Sequence, residues 1–282
     1  LRVVKAGSDP EQMAVSMDGT RLFVANEDAG EASVVSVDDG KGLATLKVGY
    51  EPEGVELRPD GQVVYVTSEE DSHVAVIDAV GMKVITTFGV GPRPRSTAFL
   101  ADGSRAYVTS ENSDSVAVVD AMKHQVLNTI KLPGEMERPM GAVASPDGKE
   151  VVFQYDDEGA TKLAAVSLEG KVRAIAKDLG GLSLGRPYAS GDYSISRTGL
   201  LAYTQAGPDR LADVAEQSQK EQPRSIRCAA FQSEPNLTRP QRPWRPVQAS
   251  RLHARPGSPS RARLRCGAAP RSPRPRPPVY GG

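Results

Sequence analysis

The chain has 282 residues, with 35 basic and 35 acidic side chains, and the zero net charge hides two unlike parts. Residues 222–282 hold thirteen Arg, no Lys and one acid (Glu234), about +12, which leaves about −12 on the rest. Both cysteines, Cys228 and Cys266, fall in the basic part, so the acidic part has no disulfide or thiolate metal site, and no apolar run approaches the roughly 18 residues needed to cross a bilayer.

The first residues, LRVVKAG, carry no Met and no leader, which reads as a removed leader or a fragment. They match the end of a later unit, TTFGVG at 86–91, so the chain starts on what reads as the last strand of a repeat. That strand is placed to complete a final unit and close a ring. The phrase PEQMAVSMDGTRLFVANEDAGEASVVSVD follows from Pro10, and its Asp-Gly pair recurs at Gly61, Gly103 and Gly148 after Gly19. The steps are 42, 42 and 45 residues, a period that belongs to a repeat architecture.

The unit from Pro52 to Gly91 shows the logic. Val55 and Leu57 alternate with Glu56 and stop at the turn Arg58-Pro59-Asp60-Gly61. Val63-Val64-Tyr65-Val66-Thr67 is β-branched and aromatic, Glu69-Glu70-Asp71-Ser72 is a polar turn, and Val74-Ala75-Val76-Ile77 is a third apolar run. After Asp78-Ala79-Val80-Gly81 the chain continues as Lys83 to Phe88, so each unit predicts four short antiparallel strands. Runs such as Val74–Ile77 are apolar on both faces, and one sheet cannot bury both alone. Units of this size stacked face to face describe a β-propeller, whereas the coils of a parallel β-helix are much shorter.

The blades fall near 8–49, 50–91, 92–136 and 137–176, with a partial fifth at 185–215 that fades after Ala212-Asp213-Val214. The expected fold is therefore all-β, a propeller of about four and a half four-stranded antiparallel blades, incomplete, with open edge strands that invite self-association. Residues 216–282 read as an Arg/Pro-rich disordered tail, since twelve Pro and thirteen Arg from residue 222 on leave too little apolar surface to offset ordering. A reading out of frame of a GC-rich gene, a solvated linker and a polyanion-binding arm all remain open for it. The scarcity of aromatics there (Phe231, Trp244, Tyr280) speaks against a stacking platform, so nucleic acid is not expected as a partner.

VYVTS and AYVTS, each followed by a V-x-V-[IV]-D strand, resemble the YVTN family of β-propeller repeats. Over residues 1–150, NEDAGEASVV, VGYEPEGVELRPDG, VGPRPRSTAFLADGSRAYVTSEN and KLPGEMERPMGAVASPDG are similar to propeller proteins associated with pyrroloquinoline-quinone (PQQ)-dependent catabolism in bacteria. That resemblance implies an exported (periplasmic or secreted) binding propeller in a quinone-linked system, with PQQ association implied by resemblance only and no cofactor expected from the residues. GDYSISRTGLLAYTQAGPDRLADVA at 191–215 is more similar to prolyl-oligopeptidase-like or TolB-like propellers, but no G-x-S-x-G elbow follows to carry a peptidase activity.

The meander puts the loop before a blade's first strand and the loop between its second and third strands on one face. After the entry Pro this face carries Glu11, Glu53, Arg95 and Met140, and at one aligned loop position Glu27, Glu69, Glu111 and Asp156, with Arg93 beside Arg95. These acids read either as solvated loop tips or as a rim that binds a ligand or a cation. Candidate ligand residues are Glu53, Arg93, Arg95, Glu27, Glu69 and Glu111, suited to a small polar molecule or a protein partner. No catalytic or metal residue is assigned. His73, His124 and His253 are scattered, and no D-x-[DN]-x-[DN]-G loop supplies the six to eight oxygens of a calcium site. Two functions follow: a non-catalytic binding propeller, or the propeller part of an enzyme, quinoprotein or hydrolase, without its catalytic part.

Overall fold

A computed structural model describes residues 3–158, 160–180, 191–207, 210–218 and 224–226. The first blade comprises β1 (Pro10–Val15), β2 (Arg21–Asn26), β3 (Glu31–Ser36) and β4 (Gly42–Lys47). The second comprises β5 (Pro52–Leu57), β6 (Val63–Ser68), β7 (His73–Asp78) and β8 (Lys83–Gly89). The third comprises β9 (Pro94–Phe99), β10 (Arg105–Ser110), β11 (Ser115–Asp120) and β12 (Gln125–Lys131). The fourth comprises β13 (Ala142–Ala144), β14 (Glu150–Asp157), β15 (Ala160–Ser167) and β16 (Val172–Ala176), and the fifth β17 (Tyr193–Ile195), β18 (Leu200–Gly207), β19 (Arg210–Ser218) and β20 (Arg224–Ile226). Every sheet is a meander of strands in sequence order.

The repeated Asp-Gly pair makes the first hairpin of each of the first four blades. Gly19, Gly61, Gly103 and Gly148 have φ of 71°, 72°, 69° and 68°, a conformation that costs any residue with a Cβ. The Asp before each Gly accepts the backbone N–H two residues on, at 3.0, 3.0, 2.9 and 3.2 Å for Asp18, Asp60, Asp102 and Asp147. One dipeptide therefore supplies both the left-handed backbone and the side-chain acceptor that hold the turn.

Alternate residues of a strand serve the two seams of a blade. Val64 and Val66 pack toward the first blade with Phe23, Ala25 and Val34. Tyr65, between them, packs toward the third blade with Phe99, Val108 and Val119. The fourth blade repeats this: Val151 and Phe153 face Tyr107 and Val118, while Val152 faces Leu201 and Tyr203. Burying each such side chain is worth about 1.5–3 kcal/mol relative to exposure, so the seams are the core. The inner strands β1, β5, β9 and β13 stand side by side in that order.

Two expectations on the ends are revised. Residues 3–7 form no strand; Val3 is 97% exposed, and the Ala6 carbonyl accepts from Ser33 Oγ of the first blade at 2.7 Å. The segment is thus tied to its own blade and does not complete a last one. The fifth sheet also extends past Val214, because the backbone edge of β18 pairs along β19 to Ser218, and β20 pairs with β19. Backbone pairing needs no apolar pattern, which is why the side chains there gave no sign of it. The rest of the expected tail lies outside the described residues.

An aromatic polar contact crosses the seam between the second and third blades. Tyr65 OH lies 2.7 Å from His124 Nδ1, and the two rings meet edge-on. Burial holds the His124 imidazole below its ordinary value, helped by Arg58 and opposed by Asp120. A histidine neutral in the fold protonates more readily when unfolded. Its contribution to stability is therefore complete above about pH 6.5 and is lost as pH falls through the folded pKa. Thermal unfolding between about pH 5 and 8 should show this decline, and His124→Gln should flatten it, whereas Tyr65→Phe should cost about 1 kcal/mol at neutral pH.

Candidate functional site

The loop face is built from three aligned positions per blade. Asp9, Glu51, Arg93 and Arg138 each precede an entry proline and take φ of 50°, 50°, 55° and 53°. The ring of a following proline disfavours the right-handed helical region, and these residues are held instead at positive φ, at a cost of about 1 kcal/mol or more. That conformation aims each carbonyl across the face. Asp9, Glu51 and Arg93 carbonyls accept the N–H of Glu27, Glu69 and Glu111 at 2.8, 3.0 and 2.9 Å. In the fourth blade the same closure is made between Glu137 and Asp156, at 3.0 and 2.8 Å.

These bonds bring five of the six predicted residues, all but Glu27, together as one ion ladder. Arg95 donates to Glu53 at 2.8 Å, to Glu69 through Nη1, and approaches Glu111 at 3.6 Å. Arg93 Nε sits 2.8 Å from Glu69 and 3.1 Å from Glu111, close ion pairs without good hydrogen-bond alignment. Arg138, not singled out in the sequence, continues the ladder to Glu111 Oε1 at 2.9 Å and toward Asp156 at 3.9 Å. The signal available for it was alignment: Arg138-Pro139 repeats Arg93-Pro94 one blade later.

The charges of this ladder are not the solvated loop tips that the sequence suggested. The Arg95, Glu53, Glu69 and Glu111 side chains are 6%, 7%, 1% and 4% exposed. Neighbouring blades press the loops together, and each buried charge is compensated by one of opposite sign. Arg93 and Arg138, each 40% exposed, keep one edge toward solvent.

The first blade differs. Glu27 meets acids: Asp9, Glu11 and Glu27 have carboxylate oxygens within 4.8 Å of one another. The Glu27 carboxyl is pushed up, first by burial, then by the charges of Glu11 and Glu53 and by a hydrogen bond with Glu11. Among the described residues these three could together hold a cation; Glu11 and Glu27 belong to the rim expected from the sequence, and Asp9 joins them through the fold.

Other chemistry-bearing residues hold loops. His73 Nε2 lies 2.9 Å from the Val48 carbonyl, Ser68 Oγ donates to the Tyr50 carbonyl at 2.6 Å, and Asp71 accepts the Tyr50 N–H at 2.8 Å. Ser68, Asp71 and His73 thus clasp the crossover at Gly49 (φ 115°), and the histidine bonds to backbone carbonyl, not to the serine. Glu56 on β5 is open to solvent yet ringed by protein, and that crowding raises its carboxyl to about 7.

No known family profile and no curated protein matches the chain. Solved structures do. A Kuenenia stuttgartiensis hydrazine synthase chain is similar with a TM-score of 0.64 and 22% identity, over 78% of this chain and 66% of that one. Virginiamycin B lyase from Staphylococcus aureus is similar with a TM-score of 0.59 and 12% identity, over 77% of this chain and 69% of that one. A streptogramin B lyase gives 0.61 and 12%, over 78% and 68%. The fold is a β-propeller. At these identities the likeness concerns the fold alone, and the chain spans about two thirds of the hydrazine synthase chain (66%).

Arg95→Ala should destabilise the protein by about 3–5 kcal/mol, because it strands buried carboxylates. Arg93→Ala should cost at most about 1 kcal/mol, as expected for a pair half open to water. Denaturant unfolding separates the two. Glu56 gives an opposite pH signature to His124: a carboxyl raised in the fold withdraws stability as pH rises through about 7. Glu56→Gln should remove that loss, read as the difference between melting curves at acidic and alkaline pH.

Proposed function

We propose that the chain is a non-catalytic binding propeller that takes a polar ligand or protein partner on its loop face, through a basic group seated against Asp9, Glu11 and Glu27. The observation that supports this is a change of partner along one repeated position. Glu69 meets Arg93 and Arg95 from the next blade, and Glu111 meets Arg138 from the blade after. Glu27 occupies the same position, but the next blade enters there with Glu51 and Glu53. The first rung is built from acids, and the Glu27 carboxyl is raised first by burial and then by the charges of Glu11 and Glu53 beside it. A guanidinium or ammonium would offset those charges in the way Arg95 does one blade on.

The exported, quinone-linked setting belongs to this proposal and draws on the repeat phrases of residues 1–150. A quinone cofactor bearing carboxylates would find the half-exposed edges of Arg93 and Arg138, but acids outnumber arginines on this face. The charge balance favours a basic ligand group over direct binding of such a cofactor. The alternative, the propeller part of an enzyme, takes encouragement from neighbours named as a synthase and lyases, but no described residue of this chain favours it.

Calorimetric titration with the tripeptide Gly-Arg-Gly tests the proposal. Binding should weaken with salt, and Glu27→Gln combined with Asp9→Asn should reduce affinity about tenfold or more, the scale of one charge-assisted contact. An unaffected affinity in that variant, or no binding by the wild type, refutes the reading.

A further inference from the structure

The face opposite the ladder carries the Asp-Gly turns, and there the seams are closed one by one from the preceding blade. At the first seam Met17 lies over the Gly61 turn; its Cγ would stand 2.7 Å from a Cβ built on Gly61. Arg21 also reaches across, donating to the Ala79 carbonyl of the second blade at 2.7 Å. At the second seam Arg58 and Pro59 lie beside Gly103, and Arg58 donates to the Ala121 carbonyl of the third blade at 2.7 Å. Both seams are thus covered by a long side chain and stitched by an arginine.

The third seam is made differently. The residues aligned with Arg58-Pro59 are Leu100-Ala101, and nothing lies within 4 Å of a Cβ built on Gly148. Arg105, aligned with Arg21, does not cross the seam: it donates to the Ser104 carbonyl of its own blade at 3.1 Å and stands 3.9 Å from Asp120. The result is a groove of about 490 Å³, within the size range of small-molecule sites, lined by Leu100, Ala101, Arg105, Pro146, Leu168 and the two turn acids Asp102 and Asp147.

The lining specifies a ligand class. Leu100, Ala101, Pro146 and Leu168 form an apolar floor. Asp102 and Asp147 are each held below the usual carboxylate range by turn hydrogen bonds, from Ser104 for the first and from Ser145 and Lys149 for the second, and so are anionic. Arg105 is 39% exposed, its ion pair with Asp120 is long at 3.9 Å, and a planar guanidinium suits a carboxylate. We propose that this groove binds a zwitterionic small molecule with an aliphatic body, an apolar amino acid or dipeptide with free termini. Its carboxylate meets Arg105, its ammonium meets Asp102 or Asp147, and its side chain lies on Leu100 and Leu168.

The test titrates the full chain with leucyl-leucine, followed by calorimetry and by amide shifts in nitrogen-15 spectra. Shifts should centre on Gly103, Gly148 and Leu168. N-acetyl-leucyl-leucinamide, with both termini blocked, should bind about tenfold or more weakly, as should the dipeptide to Arg105→Gln, a change at a half-exposed residue that keeps the fold. Ala101→Met installs the residue that covers the equivalent turn at the first seam, and it should abolish the shifts without lowering the melting temperature. Absence of shifts in the wild type, equal binding of the blocked peptide, or undiminished binding by Ala101→Met or Arg105→Gln overturns the proposal.

Discussion

Each inner blade of this protein has two apolar faces, and neither can be left to water. That constraint organises everything else. Val64 and Val66 point one way and Tyr65 the other, so the second sheet is stable only between the first and the third. The fourth does the same with Phe153 and Val152. The seams, not the sheets, are where the hydrophobic stabilisation resides. Polar features at their two ends are then forced into contact because the blades have already been brought together.

On the loop face, that enforced contact turns a column of acids into a ladder. Four carboxylates at one aligned position would repel one another if nothing intervened, and burial would make the repulsion worse. Arg93, Arg95 and Arg138 intervene between the later blades, and Arg95 does so with almost no exposure. A buried charge network of this kind is weak as net stabilisation, but removing one partner leaves the other charge buried and unpaired, which is severe. The ladder's first rung, in the first blade, is built from Asp9, Glu11 and Glu27, and it is there that we place the proposed basic ligand group.

The turn face follows the opposite logic. Its closures are local substitutions within the repeat: Met17, then Arg58 with Pro59, then the shorter Ala101. The strands and their register are unaffected, because the Asp-Gly turn holds itself through Gly φ and the Asp acceptor. A repeat scaffold can thus open a groove at one seam without disturbing the others, because each unit contacts only its neighbours.

Much of the fold was legible in the chain itself. The 42- and 45-residue steps of the Asp-Gly pair, the β-branched runs apolar on both faces and the turn residues determined four-stranded units, their stacking, and which loops share a face. These are properties of local period and of one turn type, and they survive without knowledge of any distant partner. The same alignment placed Glu27, Glu69 and Glu111 in one column and Arg93 and Arg95 beside them. Whether those charges were solvated or buried depended on how closely one blade approaches the next, and that distance is set by side chains some forty residues apart. Only the tertiary structure decided that Arg95 is spent on three acids of its own chain, that Arg138 belongs to the ladder, that Asp9 and Glu11 gather at Glu27, and that residues 3–7 stay with the first blade. The repeat aligns the residues that face a seam, but which of them meet depends on how two different blades pack, and so the pairings exist only once the blades are packed.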